Sequence, residues 1–470
     1  MNSLCRAAAA ATFAVLLLPA GARAQNSLAP DVRAAIDKAA ADVLQTTGAP
    51  SASVAIVRDG KVVYANAYGR ASIDPPVNAT AEMRYSIGSI SKQFTAAAIL
   101  LLAEEKKLSL DDKVARWLPG LTRAKDVTLR QVLSMTSGYQ DFWPQDYVMP
   151  PMMLPTTAQH IMDGWAKIPL DFEPGTKWQY SNTNYVIAGA IVEKVSGMPL
   201  LDFLQKRVFS RLAMASVVNT DEAALGPGDP MRYLRYALGP PRPAPKEGKG
   251  WMFAAGELAM TARDLALWDI STIDQTVLKP ASYQVMQTNT LLKDGLATGY
   301  GLGVQVGASN GRRTVSHSGE VSGFTAQNTI FPDDRAAIVV LTNIDANSAA
   351  SQIAGKIATA LFKASVTDTD ADSALALAKA VFDDLQHGRI DRARFTSNAN
   401  AYFSDAALAD FAAGLGPLGA PQDFSQASQS LRGGMVFRRF RIKFAAKTLD
   451  VGTFTMPDGK LEQYQISATE

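Results

Sequence analysis

The sequence predicts an α+β fold in which an antiparallel sheet is flanked by helices and joined to a helical lobe. Residues 53–57 and 62–67 have the pattern of two strands around Asp59-Gly60, a dipeptide typical of tight hairpin turns. The middle of the chain is mainly helical, and strand-like segments return after Gly299. We expect the early and late strands to share one sheet, with a cleft between that sheet and the helical lobe.

The individual elements follow from apolar periodicity and from their end signals. Predicted helices cover residues 31–46, 109–133 with breaks, 157–166, 184–195 and 349–362. Gly197 suits the end of the fourth of these, and Thr261-Ala-Arg-Asp264 suits the start of a further helix. Predicted strands cover residues 301–306, 313–316, 324–330 and 336–341, with a turn at 332–334 before the last.

Residues 1–24 have the pattern of a secretory signal peptide. Arg6 precedes an apolar stretch, residues 7–18, and Ala22-Arg-Ala24 suits cleavage, so the mature chain is expected to begin near Gln25. That stretch is too short to span a membrane, and we expect no membrane span elsewhere. We therefore expect a periplasmic or secreted protein. It should lack disulfides, because its one cysteine, Cys5, lies in the signal.

Two domains are expected after the signal peptide. The first covers residues 25–366, a polar linker covers 367–372, and a small α+β domain covers 373–470. The second domain should have a helix up to Gly388 and strands at 435–444, 448–456 and 460–466. This element order resembles cystatin-like and NTF2-like folds. Nothing in it predicts catalysis, since His387 stands alone at a helix end.

The composition argues against several classes of function. The 470 residues carry a formal net charge of +2, with 19% charged residues and no basic run of the kind that binds nucleic acid. The three histidines, at positions 160, 317 and 387, have no paired spacing. We therefore expect no nucleic-acid partner, no metal and no cofactor.

Ser89 and Lys92 are the most informative pair in the chain. They lie three residues apart where an apolar helix begins, so they should share one face of it. The apolar stripe that follows, from Phe94 to Leu102, indicates a buried helix, in which Lys92 should be desolvated and its pKa lowered. A lysine of this kind can serve as the base for a serine nucleophile, and the backbone N–H groups at the helix start can stabilise an oxyanion.

Two further motifs follow in order. Tyr180-Ser-Asn182 precedes a helix, and His317-Ser318-Gly319 is predicted to close a strand. Together with Ser89-x-x-Lys92, these motifs resemble the serine β-lactamase and penicillin-binding-protein family, in particular its class C-like branch with D-aminopeptidases, DD-carboxypeptidases and esterases. The resemblance extends from about residue 36 to residue 361.

The resemblance implies a role for each motif. Ser89 would form an acyl-enzyme, Lys92 or Tyr180 would be the base, and Tyr180 would pass a proton to the leaving group. Asn182 would bind the substrate amide and help to hold Lys92. Further roles are implied for residues 317–320: His317 would bind a substrate carboxylate or polar group beside Ser318 and Gly319, and the N–H groups of Ser89 and Glu320 would form the oxyanion hole.

Several alternatives stay open for the substrate. His317 stands where penicillin-targeted relatives usually carry lysine, and a neutral histidine holds a carboxylate less well. A D-peptidase, DD-carboxypeptidase or esterase is therefore favoured over a β-lactamase, with peptidoglycan as a further candidate partner. A non-enzymatic penicillin sensor or cell-wall-binding scaffold is the remaining alternative. Gly307-Ala-Ser-Asn-Gly311 matches a hydrolase elbow pattern, but strand-like residues follow it, which indicates a hairpin loop.

Overall fold

The structure is a computed structural model that describes residues 28–145, 147–309, 311–362, 370–432 and 435–468. The signal peptide predicted at residues 1–24 and half of the predicted linker, residues 367–369, lie outside this part. Two compact units are present, and the boundary between them lies between Leu361 and Phe362. Among the described residues no helix is long and apolar enough to cross a membrane.

The first unit has its main strands near its two ends and mostly helices between them, as expected from the sequence. Its helices are α1 Pro30–Thr47, α2 Ser91–Glu104, α3 Leu129–Leu133, α4 Ala158–Ile161, α5 Asn182–Ser196, α6 Leu200–Leu204, α7 Ala262–Asp274, α8 Pro280–Met286 and α9 Ala349–Leu361. Its strands are β1 Ser51–Arg58, β2 Lys61–Ser72, β3 Val77–Asn78, β4 Tyr85–Ser86, β5 Val218–Asn219, β6 Tyr233–Leu234, β7 Arg242–Pro243, β8 Leu258–Met260, β9 Gln305–Ser309, β10 Arg312–Val321, β11 Phe324–Phe331 and β12 Ala336–Thr342.

One antiparallel sheet of seven strands joins the two ends of this unit. Its order is β3-β2-β1-β12-β11-β10-β9, so the first strands of the chain pair with the last, as predicted. Asp59 and Gly60 both have positive φ, at 51° and 72°, which confirms the predicted hairpin between β1 and β2. All seven residues of β12 and seven of the eight in β1 are buried, so these two strands form the centre of the sheet.

Helix α2 is the buried helix of the molecule. All twelve residues from Ser91 to Leu102 are buried, and the helix packs against α5. A helix that is buried on every side has no face for water, so it is enclosed by other elements. This enclosure is what removes the side chain of Lys92 from solvent.

Three sequence predictions differ from the structure. Residues 109–133 form turns with only a short 3-10 segment, Val114–Arg116, and α3, because their apolar residues anchor loops to the core rather than one helical face. The strand predicted at 301–306 begins only at Gln305, after glycine-rich turns. The motif at 317–319 lies inside β10 rather than at the end of a strand, since β10 continues to Val321.

The second unit has its own sheet and its own core. Its helices are α10 Ala371–Gln386, α11 Ser397–Tyr402 and α12 Asp405–Leu415, and its strands are β13 Asp423–Arg432, β14 Met435–Lys443, β15 Thr448–Thr455 and β16 Leu461–Ala468. The strands pair antiparallel in chain order, and Phe382, Phe440 and Val451 are among the buried core residues. The sequence predicted α10 and the last three strands. β13 and α11 were missed because they are rich in small polar residues with little apolar periodicity, and the alanine-rich α12 was missed as well.

Candidate active site

The turn before α2 brings Ser89 and Lys92 together. Residues 88–90 form a 3-10 turn that runs directly into α2, with Ser89 in the turn and Lys92 in the first turn of the helix. Nζ of Lys92 lies 2.9 Å from Oγ of Ser89. The spacing of three residues therefore produces the contact that the sequence predicted between the two side chains.

Lys92 is enclosed by acceptors and is 0% exposed. Besides Ser89, its Nζ donates to Oδ1 of Asn182 and to the carbonyl oxygen of Ala255, both at 2.8 Å. Burial lowers the pKa of Lys92 from 10.5 to about 7, and the negative charge of Asp141 acts in the opposite direction. A neutral Lys92 keeps two protons for Asn182 and Ala255 and turns its lone pair toward the hydroxyl of Ser89.

Tyr180 lies on the other side of the same serine. Its hydroxyl hydrogen-bonds to Ser89, and Nζ of Lys92 lies 5.0 Å from the centre of its ring. Burial raises the pKa of Tyr180 above its usual value, so its phenol stays protonated at neutral pH. The neutral phenol of Tyr180 is therefore favoured over a phenolate.

Asn182 is the first residue of helix α5 and contacts both Asp141 and Lys92. Its backbone N–H donates to Oδ1 of Asp141 at 2.9 Å, while its side-chain oxygen accepts from Lys92. Its side-chain nitrogen lies 3.4 Å from Oδ2 of Asp141. Asn182 is thus the first residue of the helix, and its amide is turned toward the site.

His317 is held inside the protein by both ring nitrogens. Nδ1 lies 2.6 Å from the carbonyl oxygen of Ser318, which can only accept, so Nδ1 carries the proton. Nε2 lies 2.8 Å from the hydroxyl of Tyr300 and accepts from it. Burial, together with the charge of Lys92, lowers the pKa of His317 to about 4. The ring is therefore neutral and fully engaged, which leaves no ring nitrogen for the substrate carboxylate that the sequence analysis assigned to it.

Two glycines allow strand β10 to lie close to the 3-10 turn that carries Ser89. A Cβ on Gly319 would overlap the carbonyl oxygen of Ile87. Gly88 has a φ of +50°, and a Cβ there would come within 2.6 Å of the backbone nitrogen of Glu320. The backbone of Glu320 therefore lies beside the turn that carries Ser89, where an oxyanion hole was predicted. The Glu320 carboxylate accepts from the N–H of Ala346 at 2.7 Å, and the side chain of Ser318 is exposed.

A cavity of about 460 Å³ opens over Ser89. Phe142 and Trp251 form part of its wall, with ring centroids 6.0 Å apart, and Trp165 packs on both rings. The loop after Gly138 forms another part of the wall, since residues 141–145, 147 and 148 line the cavity; residue 146 lies outside the described part. Three carboxylates also line the cavity: those of Asp141, Glu320 and Asp345. Among the described lining residues there is no lysine, arginine or histidine.

Asp141, Ala255 and Tyr300 are the main residues that sequence reasoning missed. Asp141 is a single acidic residue in an aromatic loop, Ala255 contributes only its carbonyl oxygen, and Tyr300 meets His317 from a different part of the chain. The sequence pattern at 307–311 is no elbow, because Gly307 and Ser309 lie in β9 and the next element is strand β10. Within the described ranges, no cluster of three or more His, Cys, Asp or Glu side chains is arranged to hold a metal ion.

Comparisons with known proteins identify similar sequences and similar folds. The D-aminopeptidase of Brucella anthropi is 28% identical over 342 residues, which cover 69% of this chain and 62% of that protein. The chain thus spans less than two thirds of the length of this relative. The D-amino acid amidase of Ochrobactrum anthropi SV3, solved with L-phenylalanine amide, superposes with a TM-score of 0.63 at 24% identity, covering 71% of this chain and 99% of that chain.

The match to a second solved structure extends over most of the chain. The octameric penicillin-binding protein homologue of Pyrococcus abyssi has a TM-score of 0.61 at 21% identity and covers 93% of this chain and 96% of its own. These two likenesses show the fold. Residues 36–361, more than half of the sequence, match the model of the Beta-lactamase family. The chain therefore belongs to the Beta-lactamase family, as its three motifs predicted.

Proposed function

We propose that the protein is a serine hydrolase that acts through an acyl-enzyme on Ser89. The observation that carries this proposal is the contact between Ser89 and a fully buried lysine whose pKa is lowered to about 7. A lysine at the usual pKa would be a cation at neutral pH and could not accept a proton. Here about half of the Lys92 amines are neutral at pH 7, which is what a general base requires.

The reaction follows from the three side chains in contact. Neutral Lys92 takes the proton of Ser89 as Oγ of Ser89 attacks the substrate carbonyl carbon. The phenol of Tyr180 gives its proton to the leaving group as the bond to the carbonyl breaks, and Lys92 then passes the proton that it took to the Tyr180 phenolate, which leaves both groups neutral. Water then attacks the acyl-enzyme by the same proton transfers in reverse, which frees the acid and restores Ser89. The raised pKa of Tyr180 supports Lys92 rather than a phenolate as the base.

The charges of the cavity support a substrate with a free amine. Asp141, Glu320 and Asp345 line the cavity, and His317 is neutral, so a substrate carboxylate would meet like charge and, among the described lining residues, no cationic side chain. An ammonium group would be favoured in the same place. We therefore propose amides or short peptides that begin with a D-amino acid, which is also the class named by the D-aminopeptidase relatives.

The aromatic wall supports an apolar side chain on that amino acid. Phe142 and Trp251 offer ring faces and edges to a substrate side chain beside Ser89. Esters with an apolar acyl group would fit the same wall, so carboxylesterase activity is the second candidate. A β-lactam carries a carboxylate, and we expect it to react slowly.

A panel of five substrates tests the proposal. D-phenylalanine amide, its L enantiomer, N-acetyl-D-phenylalanine amide, a short p-nitrophenyl ester and a chromogenic cephalosporin are compared by kcat/KM. We expect the D-amide to be preferred and N-acetylation to lower kcat/KM by at least tenfold, because it removes the ammonium charge. Preference for the cephalosporin, or hydrolysis that survives in S89A, would contradict the proposal. Stoichiometric labelling of Ser89 without turnover of any substrate would instead support a sensor.

The proposed location is the periplasm or the exterior of the cell. The sequence pattern of residues 1–24 supports it, and D-amino acid peptides derived from peptidoglycan would be available there. Cell fractionation tests it: the wild-type protein should be recovered outside the cytoplasm and shortened near residue 24. Recovery of the full-length chain in the cytoplasm would contradict export.

A further inference from the structure

Asp141 uses both of its carboxylate oxygens as acceptors. Its Oδ1 accepts from the backbone N–H groups of Asn182 at 2.9 Å and of Trp143 at 3.2 Å. Its Oδ2 faces the side-chain nitrogen of Asn182 at 3.4 Å. All three groups that face Asp141 are donors, so the position requires an acceptor on each oxygen, and an ionised carboxylate supplies both. Burial raises the pKa of Asp141, and the hydrogen bonds from Trp143 and Asn182 act in the opposite direction.

This arrangement decides which way the amide of Asn182 points. Its nitrogen, with two protons, is drawn toward the carboxylate, and its oxygen is consequently turned toward Nζ of Lys92 at 2.8 Å. The reverse orientation would place the amide oxygen against a carboxylate oxygen and the amide nitrogen against the amine of Lys92. Both contacts would then be unfavourable, and Lys92 would lose one of its three acceptors.

We propose that Asp141 is a positioning residue that holds the Asn182 amide in the orientation that supports Lys92 as the base. This inference rests on the proposed function, because it assigns a supporting role in the same acylation step. The side chain of Asp141 ties the aromatic loop at 139–145 to the start of α5, so the loop that shapes the cavity also holds the amide beside the nucleophile.

The charge of Asp141 adds a second, measurable effect. Lys92 is faced by the hydroxyl of Ser89 from its own turn and by the neutral imidazole of His317 from β10. At and near the start of α5 it is faced by the amide of Asn182 and by the phenols of Tyr180 and Tyr185. Asp141 is the carboxylate whose negative charge raises the pKa of Lys92 against the effect of burial. Removal of that charge should lower the pKa of Lys92 further.

The substitution D141N separates these effects from packing. It keeps the shape of the side chain, but either orientation of the new amide places an NH₂ group against a donor: the backbone N–H groups on one side or the Asn182 amide on the other. We expect the acylation rate with a fluorophosphonate probe to fall at least tenfold at pH 7. The pH at which the rate is half its plateau should also move below that of the wild type, which a purely structural role would not cause.

A double-mutant cycle with N182A tests the route of the effect. If Asp141 acts by orienting Asn182, D141N should cost little additional rate in the N182A background, while the shift of the pH profile should persist. D269N, which also converts a buried aspartate to asparagine but on α7, should be labelled at the wild-type rate and serves as the matched control.

The outcomes distinguish this inference from the proposed function. Absence of labelling in the wild type, or labelling of S89A, would overturn the proposed function itself. Labelling of the wild type together with an unchanged rate and pH profile in D141N would overturn only the role of Asp141, as would an equal loss of rate with and without Asn182. Thermal unfolding shows whether D141N is folded. If it is not, D141S should show the same loss of rate, because it retains an acceptor for the backbone N–H groups but not for the side-chain amide of Asn182.

Discussion

Replacing Lys92 by arginine tests the buried base most directly. K92R keeps the positive charge and hydrogen-bond donors, but a guanidinium does not lose its proton in proteins. In the wild type, burial places the pKa of Lys92 at about 7 rather than 10.5. About half of the side chains are then neutral at pH 7, whereas an ordinary lysine would be neutral in about one molecule in 3000.

The magnitude of the loss follows from the role of the amine. A positioned general base contributes on the order of 10²–10⁴ to the rate, so acylation of K92R should fall by about that factor. In the wild type the rate should decrease about tenfold for each pH unit below 7, because only neutral Lys92 can take the proton of Ser89. At pH 5 the rate should be about 1% of its plateau above pH 8.

The assay is the rate of Ser89 labelling by a fluorophosphonate from pH 4 to 9. In this reaction Oγ of Ser89 displaces fluoride from phosphorus and its proton passes to Lys92, so labelling reports the base without a need for the natural substrate. A wild-type midpoint near pH 4 would implicate His317, whose pKa is about 4, and a rate that rises up to pH 10 would implicate Tyr180 as a phenolate. Either result, or K92R with more than about a tenth of the wild-type rate, would refute the reasoning.

Three further predictions concern the frame around the site. G319A should lower acylation at least tenfold and stability by about 1–3 kcal/mol in urea unfolding, because its Cβ would overlap the carbonyl oxygen of Ile87. Asp269 is buried with a pKa of about 8; its Oδ1 accepts from Asn328, while Asp269 Oδ2 and Asn328 Oδ1 have no partner. Because this folded-state pKa lies above the unfolded value, the stabilisation from the protonated acid is present at low pH and is lost as the pH rises toward 8. D269N should remove a slope of about 1.4 kcal/mol per pH unit in the free energy of unfolding between roughly pH 4 and 8, and its amide NH₂ should donate to Asn328 Oδ1. An unchanged slope would contradict this assignment. N343A should destabilise by about 3 kcal/mol, since buried Asn343 accepts from the backbone N–H and the hydroxyl of Ser51 and donates to the Met231 carbonyl; a loss below about 1 kcal/mol in the same assay would argue against this role.

The sequence was informative wherever the chemistry depends on local spacing. Ser89 and Lys92 lie on one turn of a helix, so three residues of separation imply contact between them. The Asp59-Gly60 hairpin and the helix that ends at Gly197 follow equally from local backbone preferences, and the structure contains both. The order of the three motifs was sufficient to identify the family.

The sequence was less informative wherever partners come from distant segments. The helix predicted at 109–133 is mostly turns, because apolar residues that anchor a loop have the same spacing as those on a buried helix face. Nothing in the local sequence around His317 indicates that Tyr300 occupies its second nitrogen. Asp141 gave no signal for the same reason, since two of its three donors belong to Asn182 and become neighbours only when the loop meets the start of α5.

The sequence alone determined the family, the main strands near the two ends of the first unit, and the spacing that brings Ser89 and Lys92 into contact. Only the tertiary structure decided the chemical state of the groups around them. Burial of α2 lowers the pKa of Lys92, burial of Tyr180 raises the pKa of its phenol, and burial lowers the pKa of His317 so that its imidazole is neutral. Each of these states depends on which distant side chains exclude water and supply hydrogen bonds, and that information exists only in the folded chain.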